Sequence, residues 1–109
     1  MEIEIILLIT WIHFVGDFIL QNDKMAHSKS SSNKWLAIHV GIYSSCFIVF
    51  GSILYVVINF LLHFATDYVS SRLTTKLYKA KKNHWFFVVI GADQAIHMSC
   101  LFGTYVWLL

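Results

Sequence analysis

The sequence predicts an all-α membrane protein, a bundle of four transmembrane helices made from two tandem helical hairpins. Three observations carry this. The 109-residue chain is 58% hydrophobic and 13% charged, about half the charged share of an ordinary soluble domain, so it lacks the polar surface to cover a soluble globule. It has no proline, so helices can run uninterrupted. Its apolar residues fall into four stretches, and a repeat at an offset of 50 relates the first two to the last two. This length has room for a single domain, residues 1–109.

The first stretch runs from about Ile3 to Gln21. The Met1-Glu2-Ile3-Glu4 start offers no basic segment, so no cleaved signal peptide is expected. The second runs from Trp35 to about Phe50 and is short of the ~20 residues that a span requires. Gly51-Ser52 leads with almost no polar loop into the third, which ends near Ser71. The fourth covers His84 to Leu109. Two polar segments remain, Asn22–Lys34 and Arg72–Asn83, and both are basic. With four spans they lie on one side, which the positive-inside rule makes cytoplasmic, so both termini face outward. Trp35 and Trp85 read as interfacial anchors, and His27 and His84 as solvated. The net charge of +2 is too small to argue for nucleic acid. Cys46 and Cys100 sit in apolar runs and read as buried small hydrophobes, not a disulfide.

The repeat pairs His13-Phe14 with His63-Phe64, Asp17-Phe18 with Asp67-Tyr68, Asn33 with Asn83, Trp35 with Trp85 and Gly41 with Gly91. Repeat 1 covers about 1–50 and repeat 2 about 51–109. An even number of spans separates the copies, so they share one orientation, as in parallel repeats about an axis along the membrane normal.

Seven ionisable residues fall within the spans: His13, Asp17, His39, His63, Asp67, Asp93 and His97. A central Asp costs about 2.5–3.5 kcal/mol on insertion scales, so their presence calls for a role. Six form three His/Asp pairs spaced i, i+4, which share a helix face. The order reverses in the fourth span, which runs opposite to the first and third. Counted from the cytoplasmic helix ends at about 1.5 Å per residue, all seven occupy one layer. Imidazole and carboxylate are the usual ligands of zinc, manganese and non-haem iron, and seven ligands suit two ions. The expected cofactor is therefore a divalent metal, zinc foremost, as one or two ions. Hydrogen-bonded His–Asp pairs without metal, or a proton or ion relay, are the alternatives. Asn59, in mid-span, reads as helix–helix glue.

These residues resemble a family of small bacterial and phage membrane proteins of unknown function. Its pattern is His-x-x-x-Asp-Phe-x-x-Gln, an isolated His, His-Phe-x-x-Asp-Tyr-x-x-Ser-Arg, then Asp-Gln-x-x-His. Here these are His13 to Gln21, His39, His63 to Arg72 and Asp93 to His97. The chain also resembles, more distantly, membrane-bound metal-dependent hydrolases, and that likeness implies hydrolysis.

The expected function is a metal-dependent hydrolase of the bacterial inner membrane, with both termini periplasmic. A phospholipid or other amphipathic phosphoester at the cytoplasmic leaflet is the expected substrate. Asp17, Asp67 and Asp93 are the catalytic candidates, as ligands, bridges or general base. Gln21 and Gln94 are read as contacts to substrate or ligands, or simply as helix-end packing. Arg72 is a phosphate clamp or a topogenic charge. Tyr43 and Phe47 stand where the repeat would put partners of Asp93 and His97, and a substrate cavity is expected beside them. A divalent-cation or proton transporter, completed by a homo-oligomer, is the alternative, although the outer half of every span lacks charge. A structural or regulatory protein with a structural metal site is a third.

Overall fold

Every regular element is helical. The computed structural model describes all residues, Met1–Leu109. Helix α1 covers Ile3–Phe14. It does not stop there: Val15–Ile19 continue as one widened turn, in which the Leu20 amide bonds back five residues to the Val15 carbonyl at 2.9 Å. Helix α2, Asp23–Ser28, begins where the Asn22 side chain accepts from the Met25 amide. Ser32 caps α3, Asn33–Ser45, through the Trp35 amide, and a tighter turn over Cys46–Phe50 extends it. Gly51, at φ 75°, makes the reversal, a conformation that suits glycine. Ser52 then caps α4, Ile53–Lys79. Lys81, at φ 56°, turns the chain into α5, Asn83–Leu108.

Two boundaries differ from the sequence reading. Arg72–Asn83 is not a loop, because α4 continues to Lys79 and leaves Ala80–Lys82 as the turn. Lys76 and Lys79 lie in its last turn, where cations favour the helix dipole. Asn22–Lys34 is not wholly irregular, because it holds α2. The helices α4 and α5, 27 and 26 residues long, are long and apolar enough to cross a membrane. At about 1.5 Å per residue each is some 40 Å long, against a greatest molecular extent of 42 Å. The regular parts of α1 and α3 are only 12 and 13 residues.

The interior divides into two layers. Near the chain reversal at Gly51, Ile9, Phe47, Tyr55 and Leu101 form an apolar core with Tyr43 at its inner edge. Tyr55 donates its hydroxyl hydrogen bond to the Leu101 carbonyl at 2.8 Å. Toward the ends that carry the lysines, the interior is polar. Eight buried side chains are apolar and nine are polar or ionisable, while Trp11, Phe14, Leu61, Val69, Phe87 and Trp107 are among many large apolar residues on the outside. This inverts the usual arrangement of a water-soluble domain. Asn59 joins α4 to α5, donating to Thr104 Oγ1 at 2.9 Å. Cys46 and Cys100 are free thiols, half-buried and not fully buried as expected.

Candidate metal centre

Four helical segments bring six of the seven ionisable residues together. Asp17 comes from the widened turn after α1, His39 from α3, His63 and Asp67 from α4, Asp93 and His97 from α5. Two groups have ligand atoms within 4.8 Å of one another: Asp17, His39, His63 and Asp67, and then Asp17, Asp93 and His97. Asp17 belongs to both. These buried groups could hold metal ions.

The spacing is informative. Ligand atoms each about 2.0–2.2 Å from a common ion lie roughly 3.0–3.6 Å from one another. His39 Nε2 is 3.0 Å from Asp17 Oδ1 and 3.3 Å from Asp67 Oδ2. His63 Nε2 is 3.6 Å from Asp17 Oδ1 and 3.0 Å from Asp67 Oδ2. His97 Nε2 is 3.0 Å from Asp67 Oδ1 and 3.1 Å from Asp93 Oδ2. The two Asp67 oxygens thus face different histidines, whose rings stack in parallel 3.8 Å apart.

His13 stands apart. Its Nε2 is 2.7 Å from Gln94 Oε1 and its Nδ1 is 2.7 Å from the Tyr43 hydroxyl. The Gln94 carbonyl can only accept, so Nε2 donates and Nδ1 accepts from Tyr43. The other end of Gln94 donates to Asp93 Oδ2 at 3.2 Å and to Asp17 Oδ2 at 3.4 Å. His13 is therefore a support: Tyr43, His13 and Gln94 form a chain that orients two carboxylates, and both imidazole nitrogens are committed. The expected His13–Asp17 pair does not form, because the widened turn intervenes between the two residues.

The remaining expectations resolve by location. Tyr43 and Phe47 are fully buried, with the Tyr43 ring 4.0 Å from His63 and Phe47 against Tyr55. No substrate cavity lies beside them. The cavity that reaches the cluster, about 340 Å³, lies on the opposite side, where Asp17, Gln21, Asp93 and Gln94 line it. Arg72 does not reach it: its guanidinium donates to Asn33 Oδ1 at 3.0 Å and lies 3.7 Å over the Tyr68 ring. His27 and His84 are exposed, as expected.

By sequence Lys29 is one charge of the basic Asn22–Lys34 segment, yet its ammonium lies 3.2 Å from Asp67 Oδ2. The signal was available in α2: Met25 is the one buried residue of that helix, and Lys29 lies one turn further along the same face. Ser70 is a second such residue, donating to Asp93 Oδ1 at 2.6 Å. The cluster holds three carboxylates and one ammonium, that of Lys29, which lies against Asp67. Neutral imidazoles therefore leave two negative charges in excess in a buried layer, which a divalent cation offsets.

The family model described as protein of unknown function, DUF3307, matches residues 3–108. No curated protein or solved structure matches the chain.

Proposed function

The chain belongs to this DUF3307 family, and we propose that it is a metal-dependent hydrolase embedded in the bacterial inner membrane. The carrying observation is the buried cluster of three carboxylates and three imidazoles in two groups that share Asp17. One or two divalent ions held there, zinc foremost, would supply the chemistry of a water activated at neutral pH and a polarised scissile group. His39, His63 and His97 would supply nitrogen ligands, and Asp17, Asp67 and Asp93 carboxylate ligands. Asp93 borders the cavity and is held by Ser70 and Gln94, which suits it to ligation or to general-base work. The substrate is an amphipathic phosphoester, such as a phospholipid, reached from the cytoplasmic leaflet.

The membrane setting rests on the inverted interior and on the two long apolar helices. In this reading α1 and α3, with their irregular extensions, are the other two spans of a four-helix transmembrane bundle. The basic turns are cytoplasmic and both termini periplasmic. The layer of Ile9, Phe47, Tyr55 and Leu101 supports hydrolysis over transport, since it holds no ionisable His, Asp or Glu to continue the cluster toward the periplasmic side.

A metal-free network is the second reading. The 3.0 Å His–Asp spacings are also hydrogen-bond distances, and Lys29 already brings a cation to Asp67. Metal analysis of the purified protein separates the two. One to two equivalents of a divalent transition metal are expected, removable by chelator and absent from a His63→Ala, Asp67→Ala double variant. Protein that is metal-free and equally stable with or without added zinc sinks the hydrolase reading and leaves the network.

A further inference from the structure

The cavity at the cluster and an apolar groove on the outer surface meet at one hydrogen bond. The polar cavity lies between α2, α4 and α5. Its walls carry the hydroxyls of Ser30, Ser70, Ser71, Thr74 and Thr75, with Lys29 and the carboxylates of Asp17 and Asp93 at the cluster end. Two polar atoms in these walls are buried without a hydrogen-bond partner, Ser71 Oγ and Gln21 Oε1, and Ser71 is only 7% exposed. Buried polar groups are ordinarily satisfied, so unpaired ones lining a cavity are groups left for a ligand. Outward, the cavity continues into a vestibule that shares Ser30, Thr74 and Thr75 and adds Arg72, Lys76 and Lys79 without any acidic residue. Such a mouth gathers anions.

The groove lies between α4 and α5 on the outside of the molecule, with a volume of about 420 Å³. Val69, Leu73, Val89, Ala92 and Ile96 line it, and it shares Ser70 and Asp93 with the polar cavity. Those two residues are bonded to each other, Ser70 Oγ to Asp93 Oδ1. The groove sits at the half of α4 and α5 nearer the Ala80–Lys82 turn, level with the cavity.

We infer that cavity and groove are the two halves of one site for an anionic, single-chain lipid. A phosphate-type headgroup occupies the polar cavity near Lys29 and Ser71, and the acyl chain lies in the α4–α5 groove. The link between headgroup and chain then falls at Ser70 and Asp93. This inference rests on the membrane setting and orientation proposed above. It selects an anionic amphiphile over a zwitterionic one because Lys29 and the vestibule's Arg72, Lys76 and Lys79 outnumber the Asp17 and Asp93 carboxylates that line the cavity, and over a free phosphate because the groove adjoins the cavity.

Photo-crosslinking in phosphatidylcholine nanodiscs tests it, with a lysophosphatidic acid bearing a diazirine on its acyl chain. Adducts are expected to concentrate on Val69, Leu73, Val89 and Ile96. Unlabelled lysophosphatidic acid competes and lysophosphatidylcholine does not. Ala92→Trp fills the groove from its lipid-facing wall and lowers labelling by about tenfold, the effect of losing contact with roughly two methylenes. Ala65→Trp does the same from α4 and serves if the first variant folds poorly. Lys29→Gln raises the probe concentration needed for half-labelling. Adducts spread evenly over outward residues such as Trp11 and Leu61, or labelling indifferent to both tryptophans, overturn the inference while bound metal keeps the hydrolase reading. Groove-specific labelling of a protein that binds no metal supports the lipid site and overturns hydrolysis alone.

Discussion

His13 and His63 stand fifty residues apart at equivalent places in the repeat, yet they have different partners. His63 faces Asp67 and Asp17. His13 faces Tyr43 and Gln94. The difference traces to the carboxylate four residues on: in regular α4 Asp67 stays on the face of His63, whereas the widened turn carries Asp17 away from His13 and leaves its imidazole to the Tyr43 hydroxyl. A phenol donates one hydrogen bond and satisfies a neutral imidazole, whereas a carboxylate makes a ligand pair of it. In competition with a chromogenic chelator, His63→Ala is expected to lose a metal equivalent. His13→Ala should keep the stoichiometry and weaken affinity by about 10–100-fold, the usual cost of a support behind a ligand. Equal losses from both would put His13 in the ligand set. Asp93→Asn keeps the shape of the side chain and its Ser70 contact but removes the charge. It should abolish turnover of a phosphoester with little change in the unfolding temperature, and full activity in this variant would remove Asp93 from the chemistry.

At the scale of elements, the widened turn over Val15–Ile19 sets where Asp17 points. Gly16 lets that turn approach α3: a Cβ there would sit 2.9 Å from Tyr43 Cδ2. Gly16→Ala therefore pushes on the ring that holds His13 and packs on His63, and should destabilise by about 1–3 kcal/mol, as overpacking does. Gly51→Ala meets no atom within 4 Å and carries only the left-handed backbone strain, about 1–2 kcal/mol. Both are expected to lower the unfolding temperature, but only Gly16→Ala should also lower metal content. Identical metal binding in the two would mean that the turn does not position Asp17. The same turn was illegible in the sequence, since Val-Gly-Asp-Phe-Ile carries no mark of a widened turn. Helix starts were more legible: Ser32 and Ser52 cap α3 and α4, as serine does at helix N-termini. The extension of α4 through Arg72–Lys79 is hidden in the sequence by a change in polarity at Arg72, which marks the end of the apolar run and not of the helix. A backbone with good helix formers continues across that change.

For the whole molecule, the layered interior gives a direction. Its polar layer opens beside α2 and the basic turns, and its apolar layer closes the opposite end. Reporter fusions at Leu109 should read periplasmic, and insertions near Ser31 and Lys79 cytoplasmic. A cytoplasmic C-terminus would reverse the leaflet assigned to the substrate. Proteoliposomes should show no zinc or proton flux above the protein-free leak, because ions crossing that layer would leave every carboxylate and imidazole behind. Flux abolished by His63→Ala would instead favour the transporter.

The sequence by itself determined the helical class, the four apolar segments and the identity of the ionisable residues. Composition and i, i+4 spacing are local properties that survive without coordinates. It also made His13, His39, His63, His97 and the three aspartates candidates for one layer, since helical rise converts position into depth. Only the tertiary structure decided which side chains within that layer meet. Rotation of each helix about its axis, the widened turn and the reach of Lys29 from α2 are set by packing between segments far apart in sequence. Those choices removed His13 from the ligand groups, buried Tyr43 and Phe47 in the core, and put the open side of the cluster at Asp93. A residue's depth follows from the chain, whereas its partner follows from neighbours that the chain brings together only on folding.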